Sequence, residues 1–355
     1  MTVLSGAPRF RRAEGGAPFT IPVRNRPFLA GSAHLSFPER IPDAGGMIPV
    51  REAAGPVAAD PADALLAGAV RDVVDEELPA AGGVLVRGLP LADRTGFEKL
   101  VTGLGYEPLG YRGGIAVRRN DSGVALKASE EDPRITLSPH NEMAYLPDSP
   151  RRVFFFCETA AAAGGEVPVN DIRQTVAAIP PDIQEVFRTR GVRYHRTLAK
   201  ESGPGATGWA DTFGTTDPHE VADHLGASGY DYEWGGDGGD DVLRYHYRQD
   251  AFAAHPDTGQ ELWFNQVTEL HCSYWRSHPD FPADLPAHHY PATTTYGDGG
   301  PIEDDEISFL RGVLWRSTRA VRMRPGDLLV LDNRVVQHGR MSYTGRRRHY
   351  VSLSR

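Results

Sequence analysis

A chain of 355 residues, 40% apolar and 24% charged, has the make-up of an ordinary soluble globular protein and enough apolar material for a sizeable core. Its formal net charge of −9 supplies no basic field for nucleic acid or an anionic membrane surface. Two cysteines, Cys157 and Cys272, are too few for a disulfide framework, and a reducing, cytoplasmic setting fits best.

The N-terminus carries arginines but no apolar segment of a secretory signal, and no run reaches the ~18 apolar residues of a membrane span. Residues 1–58 are rich in Gly, Pro and Arg and read as an irregular arm on a single domain, 59–355. The first helix is expected over 60–80, with Asp60 as N-cap and Pro79 near its stop. "GGVLVRGL" (82–89) reads as a strand between glycines, and "DRTGFEKLVTGLG" (93–105) as a helix closed by Gly103 or Gly105. "RGGIAVRRNDSGVALKASEE" (112–131) is a polar loop.

From 152 onward the signals are mostly strands: 152–158, 165–171, 191–198, 261–267, 320–325, 327–333 and 349–354, with a Pro-Gly turn in "RPGD" (324–327). Helical pieces interrupt at 171–190 and 303–317. The Gly- and Asp-rich stretch 202–242 is long for a passive connection and reads as a lid-like insertion. Many short strands separated by turns predict a mixed, mainly β fold of the sandwich or jelly-roll kind.

In "LSPHNEMAY" (137–145), His140 and Glu142 share one parity, so an extended backbone would project both to the same face. A metal needs converging donors, and His338 in "VLDNRVVQHGRM" (329–341) offers a third. Two histidines and one carboxylate on one side of an ion leave positions open, which suits non-haem Fe(II). The signal is weak by itself: there are 13 histidines, and His246, His271, His288 and His289 are rivals. Arg348 follows His338 by ten residues on the strand "RHYVSLS". A guanidinium there would grip a carboxylate bidentately, whereas the bland reading makes Arg346–Arg348 a solvated basic turn.

Six ordered blocks, "PHNEMAY", "RRVFFFCETAAAAGGEVPVND", "HPDTGQELWFNQ", "YGDGGPI", "PGDLLVLDN" and "HGRMSYTGRRR", resemble the TauD/TfdA family of Fe(II)- and 2-oxoglutarate-dependent oxygenases, and most of all its SyrP-like and clavaminate-synthase-like members. The resemblance runs from about residue 82 to the C-terminus. It implies a double-stranded β-helix (jelly-roll) core with flanking helices and inserted loops. It also implies iron ligands His140, Glu142 and His338. Arg348 would be the anchor for the distal carboxylate of 2-oxoglutarate, with Arg347 as the alternative. Because Glu142 is present, the chain does not resemble the halogenating relatives, which lack that ligand. Val167, in "GGEV", stands where the family has a threonine whose hydroxyl helps to hold 2-oxoglutarate.

The activity so implied consumes 2-oxoglutarate and O2. It hydroxylates an unactivated C–H of an amino acid or amino-acid-derived small molecule, free or carrier-bound, in natural-product synthesis; desaturation or cyclisation can follow from the same site. Asn141, Arg118, Asn265 and Gln266 are the candidate substrate contacts, with Arg119 and Lys127 beside them, while Tyr145, Trp263 and Phe264 read as core. Two readings of other classes stay open: a zinc hydrolase using the same three donors, and a non-catalytic binding module. Neither nucleic acid nor membrane is expected as a partner.

Overall fold

The run "RVFFFC" explains the architecture. In the computed structural model, which describes residues 7–13, 16–57, 60–111, 123–203, 206–235 and 241–355, this run lies in the middle of the larger of two facing sheets. Its strand, Arg152–Thr159, sits between Leu328–Asp332 and Arg348–Ser354. Successive side chains point to opposite faces, so an unbroken apolar run must be covered on both. Phe154 and Phe156 pack outward with Val84, Val86, Leu328 and Val330 beneath two helices. Val153, Phe155 and Cys157 pack inward against Val167, Val169, Val321 and Val336 of the second sheet.

The larger sheet runs Phe10–Arg12, Val50–Ala53, Gly83–Arg87, Leu328–Asp332, Arg152–Thr159, Arg348–Ser354, Leu126–Lys127. The smaller runs Thr318–Val321, Val167–Asp171, Val336–Arg340, Leu137–His140. Together they form the expected jelly roll, mixed but mainly β.

The covering helices are Ala64–Ala81 and Arg94–Gly103. The first begins later than expected. Asp63, not Asp60, caps it by accepting from the N–H groups of Leu65 and Leu66. Asp60 instead takes the Ala62 N–H in the turn before. Pro79 lies inside the last turn, and the helix stops at Gly82, whose φ of 71° is a left-handed conformation suited to glycine. The 171–190 segment divides into helices Ile172–Ala178 and Pro181–Arg190, separated by Ile179 and Pro180.

A third sheet, ordered Asp231–Gly235, Val242–Gln249, Val192–Ala199, Ala292–Tyr296, carries an aromatic core with Trp209, Trp263, Trp275 and Tyr194. Two of its strands, Val242–Gln249 and Ala292–Tyr296, were not expected from the sequence. The 202–242 insertion supplies the edge strand and two helices, Trp209–Phe213 and Pro218–Ala227, whose Trp209, Val221 and Leu225 are fully buried.

The N-terminal arm is more regular than its composition predicts. Phe10–Arg12 pairs with Val50–Ala53, which runs parallel to Gly83–Arg87 and so extends the larger sheet. A hairpin, Thr20–Pro22 with Arg40–Pro42, joins Ile21 and Ile41 to Phe37, Trp315 and Met341 in a separate small core. Among the described residues, no helix is long and apolar enough to cross a membrane.

Candidate iron centre and cavity

His140 is the last residue of strand Leu137–His140, and its Cα partner across the ladder is His338 of Val336–Arg340. Pairing alone therefore sets the two imidazoles side by side, with ring centroids 4.7 Å apart. Gly339 permits that closeness, because a Cβ there would press on the Leu137 carbonyl, and the ladder register slips at this point.

Glu142 does not arrive by strand parity. The strand ends at His140, and Asn141–Tyr145 forms a turn in which Met143 takes a φ of 55°. Asn333 holds that turn from both sides. Its Oδ1 accepts the Glu142 N–H at 2.7 Å, and its Nδ2 donates to the Glu142 carbonyl at 2.9 Å and the Pro150 carbonyl at 2.8 Å. The carboxylate so placed has Oε2 3.3 Å from His338 Nε2.

One ligand atom from each of His140, Glu142 and His338 lies within 4.8 Å of the others. His140 Nδ1 donates to the Ser138 carbonyl at 2.9 Å, which leaves Nε2 as the free donor atom. Burial, and then the neighbouring His338, lower the His140 pKa, so the ring is neutral and its lone pair available. This set fits a divalent iron: two imidazole nitrogens and one carboxylate on the wall of a cavity of about 380 Å³.

Behind this wall runs a chain of buried amides. Asn141 is fully buried. Its Nδ2 donates to the Asn333 carbonyl, its Oδ1 accepts from Gln337, and its carbonyl accepts from Gln266. Gln337 accepts from Asn170, which accepts from Thr175 at 3.0 Å. Asn141 is thus turned away from the cavity, against the expectation of a substrate contact. Asn265 is also occupied, donating to the Ala251 carbonyl and accepting from the Val267 N–H. Gln266 does line the cavity while holding Asn141. Arg118 and Arg119 lie outside the described residues. Lys127 is exposed and faces Glu130 at 3.8 Å.

The two neighbouring arginines go opposite ways. Arg348, the expected anchor, projects outward, half-exposed, with Nη1 2.6 Å from Glu158 Oε2, and does not line the cavity. Arg347 turns inward. Its Nε donates to the Gly165 carbonyl at 3.1 Å, and its Nη2 lies 3.0 Å from His349 Nδ1. The cause is local: Gly345 makes a left-handed turn (φ 77°), and the ladder to Thr159 and Cys157 is irregular between Arg348 and His349. Burial and the nearby Arg340 lower the Arg347 pKa to about 10, which still leaves it charged at neutral pH. Val167 faces the same cavity, 2% exposed.

Lining residues that escaped the sequence reading include Glu269, Tyr274, Arg311 and Arg340. Arg340 ties down the preceding loop through Ser129 Oγ and the carbonyls of Glu131, Asp132 and Ile135. Its signal was its position two residues after His338, the same parity on an extended strand. Of the rival histidines, His288 and His289 are exposed on the turn Ala287–His289 and do not line the cavity. His246 faces Asp231 at 3.2 Å, and His271 caps the helix Cys272–Arg276. His271, Cys272 and Asp304 do approach one another, but Arg276 already pairs with Asp304 at 2.6 Å.

Comparison with known proteins agrees with this geometry. The family model "Taurine catabolism dioxygenase TauD, TfdA family" matches residues 49–353. The dapdiamide synthesis protein DdaC of Enterobacter agglomerans is 29% identical over 286 residues, 79% of this chain and 84% of that protein. A clavaminate synthase-like protein of Arabidopsis thaliana is 28% identical over 286 residues, 79% of this chain and 83% of that one. Among solved structures, PvcB, described as an Fe, alpha-ketoglutarate dependent oxygenase from an isonitrile synthetic pathway, shares the fold with a TM-score of 0.50 at 13% identity, covering 100% of this chain and 93% of that one. The hydrolase reading falls with this match: the chain belongs to the TauD/TfdA family and is a non-haem Fe(II)- and 2-oxoglutarate-dependent dioxygenase.

Proposed function

We propose that His140, Glu142 and His338 hold Fe(II), that Arg347 anchors the distal carboxylate of 2-oxoglutarate, and that the enzyme hydroxylates an unactivated C–H of an amino acid or an amino-acid-derived small molecule, free or carrier-bound. The observation that carries the site assignment is the meeting of three donors, two from paired strands and one from the turn that follows, on a cavity that also receives the Arg347 side chain.

Iron with 2-oxoglutarate and O2 supplies the oxidising power: the 2-oxo acid is cleaved to succinate and CO2, and one oxygen atom enters the substrate C–H. The chain's own residues position and exclude. The Asn141–Gln337–Asn170 amides fix the strands from behind, so the ligands keep their spacing while the cavity fills. Arg347, charged and half-enclosed by backbone, offers the remaining N–H groups of its fork to a carboxylate. Val167 contributes apolar wall where its relatives offer a hydroxyl. DdaC's name, a synthesis protein for dapdiamide, supports a role in natural-product assembly. Desaturation or cyclisation would draw on the same site, and the product distinguishes them.

The test is anaerobic reconstitution with Fe(II) and 2-oxoglutarate, followed by O2. A charge-transfer band of the chelate, then succinate formation matched to O2 uptake, is the expected result. Neither appearing in the wild type, or both surviving in Glu142→Ala, overturns the assignment.

A further inference from the structure

The carboxylates on the cavity wall are not equivalent. Glu131 faces His278 at 3.2 Å, Asp132 faces Arg134 at 2.7 Å and Glu130 faces Lys127 at 3.8 Å, while Glu142 belongs to the metal set. Asp280 is exposed at the rim. Glu269 differs from all of these, because it lies inside the cavity without a cation within ion-pair distance among the described residues. One of its oxygens, Oε1, accepts from the Thr268 hydroxyl at 2.7 Å. Arg311, a buried guanidinium, acts on Glu269 through its charge but spends its N–H groups on the Thr268 carbonyl and Ser273 Oγ. Glu269 also interacts electrostatically with His140, so it stands on the iron side of the cavity.

Glu269 is largely enclosed, and burial pushes its pKa up, although its electrostatic interactions with His140 and Arg311 offset part of that cost. A ligand cation removes that cost. The surroundings suit one: Tyr145, Tyr274 and Trp275 line the same cavity, and aromatic faces attract ammonium and guanidinium groups. Trp275 itself is 2% exposed, so its ring is fixed by packing rather than by solvent.

We propose that Glu269 is the counter-ion for a cationic group of the substrate, an ammonium or a guanidinium, and so sets substrate class. The inference rests on the cavity being the oxygenase site argued above. Glu269 is a specificity-determining residue here; it takes no part in holding iron or 2-oxoglutarate.

The probes are matched pairs: L-lysine with L-norleucine, L-arginine with L-citrulline, and both cationic amino acids with their Nα-acetyl derivatives. Each is titrated anaerobically into the Fe(II)–2-oxoglutarate enzyme, reading the shift of the chelate band. In at least one pair the cationic member should bind about 10–100-fold more tightly, the range of a charge-assisted hydrogen bond. Glu269→Gln should reduce that preference to within about 3-fold while leaving the band without probe unchanged. Equal binding within every pair, no probe response at all, or a preference that survives Glu269→Gln overturns the proposal. If the wild-type enzyme forms no chelate band, the oxygenase-site reading fails first and this one with it; a normal band with no preference for cations overturns this one alone.

Discussion

The two walls of the cavity are built on different principles. The iron wall consists of paired strands and the turn after one of them, and the amides of Asn141, Gln337 and Asn170 behind it bond one another and the backbone. A second wall consists of loops and the short helix Cys272–Arg276, and Glu269, Tyr274 and Trp275 line the cavity there. Low-dielectric burial makes a satisfied amide network rigid, while it leaves an unpaired carboxylate in want of a partner. The amide network behind the first wall is complete without a ligand; the second wall gains a partner from one. Chemistry common to a family belongs on the first kind, and discrimination among substrates on the second.

The sharpest way to break this contrast is on the iron wall. Glu142→Ala and His338→Ala should each abolish Fe(II) retention, measured by metal analysis after gel filtration, and take succinate formation to background; retained iron in either variant would remove the foundation of the site. Next in size is the arginine pair. Arg347→Ala should raise the KM for 2-oxoglutarate about 10–100-fold, because a charge-assisted contact to a carboxylate is lost. Arg348→Ala, which removes only a half-exposed pair with Glu158, should change it less than about 2-fold. The reverse order would restore the anchor expected from the sequence.

Smaller again is the amide network. Gln337→Ala strands Asn141 and Asn170 together and should lower stability by about 1–3 kcal/mol, seen as a fall in Tm, with KM for a substrate less affected than kcat through misplaced ligands. The finest adjustment is Val167→Thr. A hydroxyl restored to the cavity should tighten 2-oxoglutarate by about 5-fold, the value of a neutral hydrogen bond of about 1 kcal/mol. No change would mean that the methyl group is neutral there.

What the sequence made legible follows the same division. Continuous apolar runs such as 152–158 and 327–333 announced buried strands, and the blocks around His140 and His338 pointed to side chains that the fold brings together. The route taken by Glu142 was hidden, because spacing of two suggests a shared strand face whereas a turn held by Asn333 delivers it. Arg347 and Arg348 could not be told apart by residue type, since the choice lies in a left-handed Gly345 and an irregular ladder. Asn141 and Asn265 are polar residues amid core and invited a substrate role; both satisfy backbone instead. Glu269 gave no local signal, because its character comes from its place in the cavity and from having no ion-pair partner among the described residues, which only the folded neighbourhood reveals.

Arg26 lies before the stretch that matches the family, residues 49–353. Yet its Nε donates to Thr136 Oγ1 at 3.0 Å, just ahead of the strand ending in His140, and its Nη2 to Ser342 Oγ at 2.9 Å, just beyond the strand bearing His338. A single guanidinium from the leading arm thus clasps both ligand-bearing segments at their far ends. Trimming the gene to its recognisable portion would open that clasp: the hinge between the histidines would be freed to breathe, and the grip on the ion would loosen although every donor remained.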